Sequence, residues 1–179
     1  MKHQVLVTGL GGYIGRYLFK HAPRDVVLSG TSRDPSHIRS SFPVPDAIKW
    51  HQLDLEQPAG PQLKSWEGDL IIHAAAQAGL KYCQQHPDEA FRINADGTAH
   101  LARWAADRSV RMVYLSTDIV FRGDQPPYTE ESLPDPVNIY GASKAEGERK
   151  VADVAADGVI VRVALTLGHA RGQSVGFVD

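Results

Sequence analysis

Apolar positions fall along this chain in short continuous runs separated by stretches of helical spacing, the pattern of buried parallel strands alternating with covering helices. The first run, Val5-Leu6-Val7, reads as a central strand. It passes through a glycine-rich turn, Gly9 to Gly15, into a helix from about Ile14 to His21, and Pro23 breaks the pattern. Val26-Val27-Leu28-Ser29-Gly30 predicts a second strand that ends at Thr31-Ser32-Arg33. From Pro35 to Pro45, three prolines and several serines predict a loop or a poor helix. A third strand is expected near Ile48 to Gln52 and a fourth over Asp69 to His73, running into Ala74-Ala75-Ala76. Apolar positions Ala90, Ile93, Leu101 and Trp104 predict a helix from about Pro87 to Asp107, with Asn94 inside it. Val110 to Leu115 then forms a fifth strand that delivers Ser116-Thr117-Asp118 to its carboxyl end. The loop Gly123 to Pro136, with Pro126, Pro127, Pro134 and Pro136, reads as an ordered excursion and not as a linker. A last helix spans about Ile139 to Ala155, and Val159 to Val163 forms a sixth strand. Strands alternating with helices imply an α/β fold built on a doubly wound parallel sheet.

Composition narrows the functions open to such a fold. With 179 residues, the chain is expected to form one domain, 1–179, long enough to bury a proper core. A net charge of −2 with scattered Lys and Arg gives no basic stripe, which argues against nucleic-acid binding. No segment approaches the roughly 18 consecutive apolar residues of a membrane span. Cys83 is the only cysteine, so no internal disulfide can form. Met1 leads within a few residues into a strand, leaving no room for a signal peptide, and the expected location is cytoplasmic.

The glycine turn carries the first candidate chemistry. Gly9, Gly12 and Gly15 stand at three-residue spacing, with Gly11 as an extra glycine. Glycine tolerates positive φ and admits a ligand to the backbone, and the following helix presents unpaired N–H groups and its positive dipole end. A pyrophosphate suits such a place; a plain tight turn fits the same spacing. At the end of the second strand, Arg33 with Ser32 points to a 2′-phosphate and hence to NADP, while Asp34 beside them keeps NAD open, as does a simple surface role for Arg33. Asp54, just past the third strand, could accept from an adenine amino group or cap a turn. The small residues Ala74, Ala75 and Ala76 would let a planar cofactor lie on the backbone, or serve close packing.

The second candidate is the pair Tyr140 and Lys144, four residues apart and so on one helix face. A lysine beside a tyrosine hydroxyl is expected to lower the tyrosine pKa and make it a usable proton donor. Thr117 supplies a hydroxyl that can orient a carbonyl. That pairing alone is ordinary surface chemistry. What singles it out is its order after the glycine turn, Arg33 and the Ser-Thr strand end. Arg162 is either a paired core arginine or a substrate contact, Cys83 reads as a packed residue, and the eight histidines show no metal-ligand spacing.

These residues together resemble the extended short-chain dehydrogenase/reductase superfamily. The resemblance rests on Thr8-Gly9-x-x-Gly12-x-x-Gly15, Asp54-Leu55, His73-Ala74-Ala75-Ala76, Asn94 with Gly97-Thr98, Ser116-Thr117 and Tyr140-Gly141-Ala142-Ser143-Lys144. Within it, Ser116-Thr117-Asp118-Ile119-Val120-Phe121-Arg122-Gly123, Pro127-Tyr128-x-Glu130 and Pro136-Val137-Asn138-Ile139-Tyr140-Gly141 are similar to the dTDP-4-dehydrorhamnose reductases. The resemblance covers nearly the whole chain and implies a Rossmann-like domain that reduces a nucleotide-linked 4-keto-6-deoxy sugar with NADP(H), NAD(H) remaining open. It implies Thr117, Tyr140 and Lys144 as the catalytic set and Asp118 near the sugar. It implies cofactor contacts at Gly9, Gly12, Tyr13, Ile14, Gly15, Ser32, Arg33, Asp54, Leu55, Ala74, Ala75, Ala76 and Asn94, shared by Tyr140 and Lys144.

Two departures bear on that expectation. Ile119 stands where those reductases usually carry a tyrosine. Family members also run to roughly twice the length of one such domain, so most of the substrate-binding part is expected to be absent from a chain ending at Gly176-Phe177-Val178-Asp179, whether as a fragment or as a natural short form. The other functions weighed are a dinucleotide-binding regulatory subunit, like the methionine adenosyltransferase β subunits, and an epimerase or dehydratase of the same superfamily. A homodimer is expected by analogy with the fold.

Overall fold

The computed structural model describes residues 2–36, 48–155, 157–164, 168–170 and 173–175. Strands β1 (His3–Thr8), β2 (Val26–Ser32), β3 (Lys49–Gln52), β4 (Leu70–His73), β5 (Arg111–Thr117) and β6 (Val159–Val163) form one sheet in the order β3-β2-β1-β4-β5-β6. Every neighbouring pair is parallel. The order reverses at β1, which lies between β2 and β4, so a crevice opens at their carboxyl ends.

Helices α1 (Tyr13–Lys20), α2 (Ala59–Leu63), α3 (Leu80–Gln85), α4 (Pro87–Phe91), α5 (Thr98–Ala106) and α6 (Ile139–Val154) cover this sheet. The continuous apolar run of β1 has its cause in this double covering. Leu6 joins a core with Leu63, Trp66, Leu101, Trp104 and Tyr114 on one face, whereas Val5 and Val7 join Leu10 and Ile48 on the other, where Leu18 and Phe19 of α1 close it. The six predicted strands and three predicted helices are all present, within two residues at most boundaries. β2 ends at Ser32, within the Thr31-Ser32-Arg33 end read from the sequence, while β5 runs two residues further than expected, so Ser116 and Thr117 belong to β5 itself.

Some elements had no readable period. α2, of five residues, and α3, of six, complete fewer than two turns, too few for an apolar stripe to show. The predicted helix from Pro87 to Asp107 is interrupted by a π-helical segment, Arg92–Gly97, between α4 and α5. That widened turn frees the Asn94 carbonyl to accept from the Thr98 hydroxyl at 2.8 Å and the Tyr114 hydroxyl at 3.3 Å. A hairpin of β7 (Gly168–Ala170) and β8 (Gln173–Val175) forms a separate antiparallel pair. The predicted loop over Pro35 to Pro45 falls for its greater part, residues 37–45, outside the described residues.

The Gly123 to Pro136 excursion is ordered by its own side chains. Phe121 and Tyr128 stack at 4.3 Å, the Tyr128 hydroxyl accepts from the Gly123 and Gln125 amides, and Arg122 pairs with Asp135 at 2.7 Å.

Candidate functional site

The site begins at the turn after β1. Gly9 has φ +70, and a Cβ there would lie 2.9 Å from the Ala75 amide nitrogen, so only glycine fits both the conformation and the approach. At Gly15 a Cβ would collide with the Gly9 carbonyl and with Leu10, which lets α1 start hard against the turn. Gly12 is the N-cap of α1, with no side-chain cap and no acidic residue in the first turn. Among the described residues no side chain caps the first amides of α1, and Tyr13, Ile14 and Gly15 line the crevice, the donor set of an anion site.

The opposite wall is fixed from beneath by a buried histidine. His73 Nε2 lies 3.0 Å from the Thr98 hydroxyl, which donates its proton to the Asn94 carbonyl and so must accept from the ring. Nδ1 then accepts from the Thr8 hydroxyl at 2.6 Å, and that oxygen accepts from the Ala75 amide at 3.1 Å. This assignment needs a neutral imidazole. Burial, with the charge of Lys144 adding to it, pushes the His73 pKa down to about 3. Ala74, Ala75 and Ala76 are thereby held facing the glycine turn, and all three line the crevice.

The crevice has two adjoining parts that share Gly9 and Gly12. The first, about 230 Å³, takes in Ser32, Arg33, Asp54, Leu55 and Ala75 from the predicted set. Ser32 donates to the Asp34 carbonyl and accepts from the Asp34 amide, which turns the chain so that exposed Arg33 sits on the rim. Asp54 accepts from the Glu56 amide at 3.0 Å, the capping contact, while also lining the cleft. Glu56 was not foreseen here; it reaches across to Arg92 at 2.9 Å.

The second part, about 620 Å³, gathers Tyr13, Ile14, Gly15, Ala74, Ala76, Thr117, Asp118, Tyr140 and Lys144. Asn94 is the exception among the predicted contacts. Its amide is spent on the Gln77 backbone, at 2.8 and 2.9 Å, and on the Ser143 hydroxyl at 3.0 Å, so it ties the Ala74 wall to α6 from behind. The Thr117 hydroxyl accepts from the Ile119 amide and donates to Asp118 at 3.2 Å, and Ile119 itself packs beside Tyr140.

Electrostatics correct one expectation. Lys144 does not lower the Tyr140 pKa in this arrangement. Its Nζ donates to the Leu115 carbonyl at 2.7 Å, and burial, opposed only by Glu148, pulls its own pKa down to about 7. The Tyr140 phenol is pushed up to about 12, by burial first and then by Cys83 and Asp118. Arg162 is resolved as a paired arginine: it forks onto Glu148 at 2.7 and 3.0 Å and donates to the Ser132 carbonyl.

One hydroxyl in the larger cleft has no partner among the described residues. Ser116 Oγ is buried, with the residue 4% exposed, and receives no hydrogen bond from any described residue. An orphaned buried hydroxyl beside uncapped helix amides fits a polar ligand lying along the crevice. Among the described residues, no group of three or more His, Cys, Asp or Glu is placed to hold a metal, and no helix is long and apolar enough to cross a membrane.

Comparison with known proteins agrees with this geometry. The family model of the RmlD substrate binding domain matches residues 1–178. The methionine adenosyltransferase 2 subunit beta of Bos taurus is 31% identical over 171 residues, covering 93% of this chain and 48% of that protein. The dTDP-4-dehydrorhamnose reductase of Sinorhizobium fredii is 34% identical over 160 residues, covering 89% and 49% respectively. Among solved structures, the Bacillus anthracis dTDP-4-dehydrorhamnose reductase in complex with NADP superposes with a TM-score of 0.78 at 30% identity, over 92% of this chain and 54% of that one. The chain spans about half the length of the curated relatives it matches. With a doubly wound parallel sheet of the same kind and a family match over residues 1–178, this chain belongs to the RmlD substrate binding domain family.

Proposed function

We propose that the chain is the dinucleotide-binding unit, residues 1–179, of an NADP(H)-dependent reductase acting on a nucleotide-linked 4-keto-6-deoxy sugar. The observation that carries this reading is one continuous crevice running from the uncapped amides of α1 to Thr117, Tyr140 and Lys144. The α1 amides would hold the pyrophosphate and Arg33 with Ser32 the adenosine 2′-phosphate, giving NADP(H) preference over NAD(H). When held there, the reduced nicotinamide would supply hydride to the carbonyl carbon. Tyr140 gives its phenolic proton to the carbonyl oxygen, so the ketone becomes an alcohol. Thr117 orients that oxygen, and Asp118 sits by the sugar. Tyr140, its phenol held at about 12, keeps its proton until the carbonyl oxygen takes up charge, and Lys144, with a pKa near 7, lines the same cleft as a donor toward the cofactor.

The test is titration with NADPH and NADH, followed by NADPH oxidation with a dTDP-4-keto-6-deoxy sugar. Turnover is expected to fall by at least about 100-fold in Tyr140→Phe, the scale of a lost general acid, while NADPH binding persists. Failure of both nucleotides to bind refutes the reading. A second reading is a non-catalytic dinucleotide-binding regulatory subunit, favoured by the methionine adenosyltransferase 2 beta subunits among the relatives. Binding without turnover, together with capture of a catalytic partner chain, selects it.

A further inference from the structure

The environment of Lys144 poses a physical problem. The residue is 2% exposed, yet among the described residues no carboxylate lies within ion-pair distance of its ammonium. Glu148, one turn further along α6, has both oxygens engaged by Arg162 of β6. From β4 it faces His73, which is neutral; on its own helix stands Tyr140, also uncharged. Asp118, after β5, acts on Tyr140 and is shared with the Thr117 hydroxyl. A buried ammonium with a single carbonyl acceptor is under-satisfied.

What remains is the ring of Tyr114. Lys144 Nζ lies 3.9 Å from its centroid, over the negative face of the ring. Three contacts hold that ring still. Its hydroxyl donates to the Asn94 carbonyl within the π segment, its ring stacks with His73 at 5.5 Å and 25°, and its hydroxyl occupies room left by Gly147, where any Cβ would collide with it. Strand alternation puts Tyr114 beneath α6, three residues before Thr117.

We infer that Tyr114 is a positioning residue whose ring face, together with the Leu115 carbonyl, seats the Lys144 ammonium and keeps it charged in the wall of the larger cleft. The seat is a property of the fold; its consequence for catalysis rests on the reductase reading above. Without it, Lys144 loses its proton at lower pH, and the alkaline limb of turnover moves down with it.

The test varies the ring's charge distribution at nearly constant volume. Tyr114 is replaced by Phe and then by Phe carrying one, two and three ring fluorines, each checked for folding by circular dichroism. Lys144 is titrated by NMR of Cε-labelled lysine, its signal assigned with Lys144→Met. Phe is expected to titrate like the parent, and the midpoint to fall stepwise with fluorination, by about one pH unit in all. A midpoint unchanged across the series overturns the seat, since a packing role would show no trend. Should the Phe series unfold, 3-fluorotyrosine keeps the donor to Asn94 and is read in the same way. Nucleotide binding and turnover measured alongside separate the two claims. A stepwise shift in a chain that binds neither NADPH nor NADH upholds the seat and refutes the reductase reading. A shift with an alkaline limb of kcat moving in register, KM for the sugar unchanged, upholds both.

Discussion

Arg162→Met is expected to destabilise the chain more than any surface substitution. The guanidinium makes a two-pronged contact with Glu148 at 2.7 and 3.0 Å, donates to the Ser132 carbonyl at 3.2 Å and lies 4.8 Å from the Phe121 ring. Its loss strands a Glu148 side chain that is only 5% exposed. Breaking a buried pair from one side costs about 3–5 kcal/mol. Arg162 is itself 22% exposed, which places the cost near the low end, about 3 kcal/mol. For a domain of this size that is a fall of roughly 6–12 °C in melting temperature. The partner experiment removes both charges: Glu148→Leu with Arg162→Met should return to within about 1 kcal/mol of the parent, because no uncompensated charge remains. Urea unfolding of the four proteins of this cycle gives the coupling directly. A single-variant loss below about 1 kcal/mol, or a double variant that loses the sum of the two singles, refutes the view that desolvation of Glu148 dominates.

Two further predictions concern the crevice. His73 is held neutral, its pKa lowered from 6.5 to about 3, so below pH 6.5 the unfolded chain binds a proton that the native chain does not. Stability therefore falls as pH drops through the window from 6.5 toward 3, by about 2 kcal/mol between pH 6.5 and 5. Urea midpoints across that range check it, and His73→Asn should lower the midpoint yet flatten its pH dependence; an unaltered slope counts against the assignment. Ser116→Ala should leave the unfolding midpoint of the free chain within about 0.5 kcal/mol of the parent, because the hydroxyl has no partner among the described residues to lose. The same change should weaken ligand binding in calorimetry, and equal ligand affinity in the variant would show that the hydroxyl faces no ligand.

Legibility in the sequence followed the range of the interaction. β1 and the turn after it were readable because their signals are local: three apolar residues in a row, then glycines whose spacing matches a strand-to-helix turn. Tyr140 and Lys144 were readable as one face because four residues complete about one turn. Where Lys144 points was not, since that is decided by the Leu115 carbonyl, 29 positions upstream. The Thr8 to His73 bond spans 65 positions and the Asn94 to Ser143 bond 49, and neither leaves a periodic trace. The π segment was invisible for another reason: one widened turn shifts the helical phase by less than a short apolar pattern can register.

The same distinction explains why α6 reads weakly as an amphipathic helix although one of its faces is buried. Ser143, Lys144 and Glu148 occupy that face and are 0%, 2% and 4% exposed. Each is matched by a partner from another element: Asn94 for Ser143, the Leu115 carbonyl and Tyr114 ring for Lys144, and Arg162 for Glu148. Apolar residues there would pack as well, or better, so stability alone does not account for the choice. A matched row of buried polar groups instead fixes the angle and height at which Tyr140 and Lys144 meet the crevice. Ser116 stands beside this row without a partner among the described residues. Beside a row whose members are each matched, that open hydroxyl is the place where a polar ligand would complete the network.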